Sequence, residues 1–414
     1  MERLLWGKVY YKETFAGILR AEAASGFAEA QDGVENLPCS FTYDASYINA
    51  GHPPISHTMP VRSDPYITQR GLHPFFDNLV AEGWLEKAQT RLLGQRMVSR
   101  LELLLAFGFD CAGAVHIQEI EKSTITDKLM DLSDPREIAA LNGRASLSGV
   151  QPKLAVIEEN GTFRPARIDE LSTHIAKFPS PGHADLVENE YLTTQAFKAL
   201  LPDDDIVDLG IEEISGLDKP ALLIKRFDRD SGNRIHFEEF NQLLGRQSRT
   251  KYDGAHKDMA DFILGTDDCL PTQAYLLYRR ILAGLLLGNT DMHLKNFAMF
   301  HTDNGLRLTP SYDQVAASLY DYKTLALTIA GSKDHAIGDL KARHIILLGE
   351  EFGLRPAAIN MAVKELEKRI EAAQDAISKA KFSSDDFKNK LITLIGKRWN
   401  GTFQNLDASI GKTS

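Results

Sequence analysis

The stretch QAYLLYRRILAGLLLGN (273–289) carries apolar side chains nearly all the way round a helix. A helix without a polar face must be enclosed on every side, so this one belongs inside a layered, mostly helical region. Its longest clean apolar run, Ile281 to Leu287, is far short of the roughly 20 residues a membrane helix needs. It closes at Gly288, a residue suited to a helix C-cap, and runs straight into the polar segment NTDMHLKN.

What surrounds that helix follows an order. Trp6, Val9, Tyr11, Phe15 and Ile18 flank Lys12-Glu13-Thr14 as a hairpin, and residues 40–70 read as irregular. HPFFDNLVAEGWLEKAQTRLL (73–93) has helical spacing throughout, a second helix covers about 95–107, and Ala114 to Ile120 alternates like a strand. Polar residues 122–145, with Pro135 and Gly143, mark a boundary. Two strands follow around Glu159-Asn160-Gly161, then THIAKF (173–178), a helix over 187–201, and the apolar strand PALLIKRFD (220–228). Past residue 270 the pattern is helical, with Val363, Leu366, Ile370, Ala373 and Ile377 in one stripe and a new start at Ser383-Ser384-Asp385. Strands with helices first, and a helical region after, is an α+β plan. The expected divisions are 1–121, 122–228 and 229–414.

Composition removes other classes. The chain has 414 residues, 43% hydrophobic and 25% charged, which excludes a disordered or collagen-like protein. Its three cysteines, Cys39, Cys111 and Cys269, form no C-x-x-C pair, which fits a reducing cytoplasm and not a zinc site. MERLLWGKVYYKE lacks an apolar signal core, so no export is expected. A formal charge of −10 argues against direct binding to nucleic acid, whose phosphates attract a basic surface.

The chemistry concentrates in GNTDMHLKNFAMF (288–300), where Asp291 and Asn296 stand five apart. That is the spacing of a kinase catalytic loop, in which the Asp accepts a hydroxyl proton and the Asn holds a metal. Lys295 between them is placed to neutralise phosphoryl charge, and His293 to brace the loop. A plain helix cap followed by a polar loop would give the same residues. LRLTPSYD (306–313) ends in Tyr312-Asp313, 17 residues after Asn296, where a kinase carries its second metal-binding Asp. Asp313 alone would equally suit a solvated turn.

Three further segments bear on phosphate and base binding. GRASLSGVQPKLAV (143–156) lacks both G-x-G-x-x-G and the Walker pattern, leaving a Ser/Gly turn before Gln151 and Lys153. A surface loop reads the same way. Lys177 followed by Glu190 suits the strand-lysine and helix-glutamate pair of kinases, or two solvated surface charges. Lys225, Arg226 and Phe227 end an apolar strand as an adenine hinge would, although Phe227 is equally a core residue.

SLSGVQPK, THIAKFP, KRFDR, NTDMHLKNF and LTPSYD, in that order, resemble the HipA-type serine/threonine kinases, the toxin halves of bacterial toxin–antitoxin modules. HPFFDNLVAEG and LLLAFGFDCAGAV resemble that family's N-terminal subdomain. The resemblance implies a protein-kinase-like two-lobed fold with a β-rich N-terminal subdomain and an all-helical C-lobe. It implies Asp291 as base, Asn296 and Asp313 as Mg²⁺ ligands, and Lys177 on the phosphates of ATP. It implies a phosphate loop over Ser148, Gly149, Val150, Gln151, Pro152 and Lys153, a hinge at Lys225–Phe227, and a phosphate end lined from His293 to Asn296 and by Tyr312. Ser146 stands at the family's autophosphorylated position, with Ser148 two residues on. Two departures stand out: Lys225 replaces a glutamate of the best-known members, and Ser148 replaces a small apolar residue.

From the family also follow a helix-turn-helix antitoxin as partner, DNA contact only through it, no membrane, and a translation protein such as an aminoacyl-tRNA synthetase as substrate. A small-molecule phosphotransferase shares the Asp-to-Asn logic but has no need of the first 120 residues. A silent antitoxin-binding corepressor has no need of Asp291, Asn296 and Asp313.

Overall fold

A computed structural model of the chain describes residues 5–21, 38–93, 98–120, 151–167, 170–179, 182–183, 185–217 and 219–404. The chain forms two units, Met1–Ser180 with Leu209–Ser248, and Pro181–Asp208 with Arg249–Ser414. The expected three-part division differs from this: no division falls at 121/122, and two segments change sides. Residues 181–208 group with the C-terminal part, and residues 229–248 with the N-terminal part.

In the first unit the opening hairpin turns at Lys12, whose φ of 53° is left-handed. Strands β1 (Trp6–Tyr11) and β2 (Thr14–Ala21) pair antiparallel, with Tyr11 opposite Thr14. With β3 (Cys39–Tyr43), β4 (Tyr66–Thr68) and β5 (Val115–Glu119) they make a sheet of order β4-β3-β2-β1-β5. β3 and β4 lie in the stretch expected to be irregular. Four of the five residues of β3 are buried, so no alternation marks it as a strand.

The single helix expected over 73–93 is two, α1 (Pro74–Leu79) and α2 (Gly83–Leu92). Val80 turns extended at ψ 141° and Gly83 takes φ 62°, while Val80 and Ala81 stay buried and keep the apolar rhythm unbroken across the gap. Next, α3 (Arg100–Phe107) begins at a Ser99–Glu102 capping box, later than the expected residue 95. Phe41, Tyr43, Tyr47, Phe75, Phe76 and Phe107 fill the core of this sheet, with Phe41 edge-on to Tyr43 at 4.8 Å.

A second sheet has order β7-β6-β8-β10-β9: β6 (Lys153–Glu159), β7 (Thr162–Pro165), β8 (His174–Lys177), β9 (Leu209–Glu212) and β10 (Ala221–Lys225). The β6–β7 hairpin turns on Asn160 and Gly161, at φ 52° and 77°, the double left-handed turn that Asn-Gly adopts most easily. Ala81 and Leu85 enter this sheet's core while Ala88 and Leu92 enter the first one, so α2 joins the two cores. A hairpin of β11 (Arg229–Asp230) and β12 (Asn233–Arg234), then β13 (Phe237–Glu239), completes the labelled strands here.

The second unit holds α4 (Leu186–Leu200), α5 (His256–Gly265), α6 (Thr272–Leu287), α7 (Ala342–Glu351), α8 (Pro356–Glu367), α9 (Ile370–Lys379) and α10 (Asp385–Arg398). It is not all-helical: β14 (Ala298–Thr302) and β15 (Gly305–Leu308) form a hairpin between α6 and α7. The apolar stripe from Val363 to Ile377 is split between α8 and α9 at Lys368-Arg369. As its composition demands, α6 is enclosed, with Leu277, Ile281, Leu282, Leu285, Leu286 and Leu287 inaccessible. Its two arginines survive burial by pairing. Arg280 grips both oxygens of Asp204 at 2.8 and 2.6 Å and donates to the Thr309 carbonyl, and Arg279 grips Asp203. No helix among the described residues is long and apolar enough to cross a membrane.

Candidate active site

Helix α6 ends where Gly288 takes φ 80°, with the amides of Gly288 and Asn289 closing on the carbonyls of Leu285 and Gly284. A side chain at 288 would collide with Ser318 and Leu394, so only glycine fits this exit. The chain then folds into a tight turn. The carbonyl of Asp291 accepts from the His293 amide at 2.8 Å and from the Asn296 side-chain amide at 2.7 Å, and the Asn296 amide returns to the His293 carbonyl. Asp291 and Asn296, five apart in sequence, are thereby brought to one turn. Because its nitrogen faces the Asp291 carbonyl, the amide oxygen of Asn296 points the other way.

The β14–β15 hairpin carries the chain back to Ser311. Tyr312 donates its hydroxyl to the Lys295 carbonyl at 2.9 Å, which ties the second segment to the first. Asp313 follows at φ 58°, in a left-handed region that few side chains tolerate, Asp and Asn among them. Gln314 braces this bend from inside: it donates to Ser311 Oγ and the Tyr312 carbonyl, and accepts from Asn289. Asn189 of α4 pins the next residues by accepting from the Ala316 amide at 2.9 Å and donating to the Ala316 carbonyl.

Asp291 is exposed as a residue, but the protein packed around its carboxyl group partly desolvates that group. That desolvation, then the charge of Asp313, pushes its pKa up to about 6. The Lys251 charge and a hydrogen bond from the Tyr252 hydroxyl act in the opposite direction. His293 and Lys295 are buried. The His293 ring accepts from the Lys295 amide at 3.3 Å and meets Tyr252 edge-on at 5.1 Å. Lys251, Tyr252, Asn189, Asn289 and Gln314 were not legible as site residues. Tyr252 lies 39 positions before Asp291, and no local pattern signals a contact made by tertiary packing.

In the first unit, Lys153 and Lys177 stand directly opposite each other on β6 and β8, both nearly buried. Gln151 donates to the Phe178 carbonyl at 2.8 Å, and the Phe178 amide donates to the Pro152 carbonyl, which closes the start of β6 onto the end of β8. Glu190 is buried in α4 of the other unit. Ser146, Ser148, Gly149 and Val150 lie outside the described residues.

At the expected hinge Lys225 is exposed and Phe227 packs on Phe237 at 5.0 Å. The Arg226 side chain turns into the interior of the first unit. Its guanidinium is buried and donates to Asp228, Asp110, Ser172 and the Cys111 carbonyl. Arg229 joins it by bridging Asp110 and Asp228. Burial alone would raise the Asp110 pKa, but Arg226 and Arg229 beside it, with a Ser172 hydrogen bond, hold it below the usual range. This network fastens the turn before β5 of the first sheet to the end of β10 of the second.

Sequence profiles agree with this architecture. The HipA N-terminal domain matches residues 8–118, and the HipA-like C-terminal domain matches residues 145–374. A putative kinase, Y4dM, of Sinorhizobium fredii is 31% identical over 282 residues, 64% of this chain and 67% of its own. The serine/threonine-protein kinase toxin HipA of Shewanella oneidensis is 28% identical over 356 residues, 77% of this chain and 80% of its own. The solved complex of Shewanella oneidensis HipA with HipB and its operator DNA superposes with a TM-score of 0.69 at 23% identity, covering 97% of this chain and 99% of that one. With both domains present in order and the fold shared end to end, the chain belongs to the HipA family of kinase toxins.

Proposed function

We propose that this chain is an ATP- and Mg²⁺-dependent serine/threonine protein kinase and the toxin of a HipA-type toxin–antitoxin module. The observation that carries this reading is the single turn joining Asp291 to Asn296, with the negative charge of Asp313 acting on the Asp291 carboxylate. Two carboxylates that repel and one amide oxygen make a hard-oxygen donor set, which suits Mg²⁺. The bound cation would hold phosphate oxygens and neutralise their charge. Asn296 and Asp313 would be its ligands.

In the proposed reaction Asp291 orients an acceptor hydroxyl and takes its proton. The hydroxyl oxygen bonds to the γ-phosphorus, the bond to the bridging oxygen breaks, and ADP leaves. Lys153 and Lys177, aided by Gln151 and Pro152 and by the loop of Ser148, Gly149 and Val150, would hold the phosphates. Lys295 and His293 would line the phosphate end beside Tyr312. The hinge would be Lys225 and Phe227, with Arg226 contributing through the buried network that supports it. The proposed acceptors are a translation protein, an aminoacyl-tRNA synthetase foremost, and Ser146 or Ser148 of the chain itself. A phosphate there would place about −1.5 to −2 charge where ATP phosphates must bind. The proposed partner is a helix-turn-helix antitoxin, which would supply the DNA contact, and the proposed location is the bacterial cytoplasm.

Incubation with γ-labelled ATP and Mg²⁺, wild type beside Asp291→Ala, tests this. Self-labelling and transfer to cell-extract proteins by the wild type alone are expected. A silent wild type, or equal labelling by both, refutes it.

A further inference from the structure

The residue nearest in role to the base is one that no motif marks. Tyr252 sits in the loop between Thr250 and Ala255, and this loop is fastened on both sides. The Lys251 carbonyl accepts from the Leu294 amide in the catalytic turn at 3.2 Å. On its other side the Thr328 amide donates to the Gly254 carbonyl at 2.9 Å, and the His256 amide donates to the Thr328 carbonyl at 3.0 Å. The 326–328 segment is itself tied to the catalytic turn, through the Ala326 amide on the Thr290 carbonyl at 2.8 Å. Three chain segments thus hold one another, and Tyr252 is fixed relative to Asp291 by backbone rather than by its own packing.

Two contacts then act on the site. The Tyr252 ring lies edge-on to His293 at 5.1 Å, and its hydroxyl donates to the Asp291 carboxylate. A carboxylate that must receive a hydroxyl proton works best in one rotamer, with one oxygen aimed at the acceptor. A donor fixed on the other oxygen sets that rotamer. Tyr252 is 47% exposed, more than a residue kept only for core packing would be. We propose that Tyr252 is a positioning residue for Asp291, holding the base carboxylate through its hydroxyl so that the remaining oxygen meets the acceptor. This rests on the kinase reading of the same site.

The experiment compares wild type, Asp291→Ala, Tyr252→Phe and Tyr252→Ala as full-length chains, with γ-labelled ATP and Mg²⁺. Initial rates of self-labelling and of transfer to cell-extract proteins are read against ATP concentration, with a melting temperature for each variant. Tyr252→Phe keeps the ring on His293 and removes only the hydroxyl. Its kcat should fall about tenfold, the effect of one lost hydrogen bond. Its KM for ATP should stay within twofold and its melting temperature unchanged. Tyr252→Ala should lose at least as much kcat. If Tyr252→Phe restores the wild-type kcat while Tyr252→Ala does not, the residue only packs, and the assignment is overturned. A raised KM with intact kcat overturns it as well. A wild type that labels nothing brings down the kinase reading and this inference together, whereas active wild type with active Tyr252→Phe brings down the inference alone.

Discussion

The side-chain amide of Asn296 donates a 2.7 Å hydrogen bond to the main-chain carbonyl of Asp291. One residue thereby shapes the turn that presents the base and aims its own oxygen away from that turn. Asn296→Ala removes both effects. Phosphoryl transfer should fall at least about 100-fold, as when a group that stabilises developing charge is lost. The melting temperature should fall only by what one hydrogen bond contributes, about 1 kcal/mol. Asn296→Asp keeps an oxygen but sets a negative charge against the Asp291 carbonyl, so its stability should fall further than that of Asn296→Ala. Labelling rates and thermal melts read the two effects separately, and an Asn296→Ala protein with near-wild-type transfer would remove Asn296 from the site.

Gly288 decides where α6 stops and hence where Asp291 starts. At φ 80°, with Ser318 and Leu394 filling the space of a side chain, Gly288→Ala meets both backbone strain and collision. A cost of about 2–4 kcal/mol is expected, in the range of overpacked sites with strained backbone. Because the strain sits three residues before Asp291, transfer should fall even in the fraction that remains folded. A thermal melt and a rate normalised to folded protein check this; an unchanged melting temperature would contradict it.

How far the sequence speaks depends on the range of the interaction. Asn160-Gly161 announced its hairpin because both residues take the left-handed conformations that such a turn requires. The α6 helix announced its burial because its apolar residues go all the way round. The break after Leu79 was hidden, since Val80 and Ala81 are themselves buried and continue the helical rhythm. Within the site, Asp291, Asn296 and Asp313 were legible through their spacing along one stretch. Tyr252 and Asn189 were not, because they reach the site from other loops and helices and their local sequence carries only a loop or a helix face. The buried partners of Arg226 were hidden for the same reason, since Asp110 and Ser172 lie 116 and 54 positions away.

That buried network supports a third expectation. Asp110 is inaccessible and meets Arg226 at 3.1 Å and Arg229 at 2.7 Å. Removing one partner of a buried ionic cluster leaves uncompensated charge, which typically costs 3–5 kcal/mol, so about that loss is expected for Asp110→Ala. The hydrogen bonds to Ser172 go with it. Chemical denaturation monitored by fluorescence should show a lower midpoint than the wild type. Replacement without a measurable shift would mean that the cluster is solvated.

Three histidines give the protein a stability limit on the acid side. Burial holds His73 near pKa 4 against the Glu238 charge, and holds His256 near 4 against Asp258. His116 is also near 4, through burial first and then the Arg234 and Arg229 charges. In the unfolded chain each returns to its ordinary value near 6.5. Between about pH 6.5 and 4 the unfolded state therefore binds protons that the native state does not, and stability must fall as pH falls through that window. At pH 5.5 each histidine accounts for about 1 kcal/mol of that loss, one unit below the unfolded pKa. The melting temperature should hold steady above pH 7 and drop by several degrees by pH 5.5, before most carboxylates titrate. His256→Gln removes its own contribution, so its melting temperature should depend less steeply on pH than that of the wild type, whatever its absolute value. Equal slopes for the two proteins would show that His256 is not held neutral in the native state.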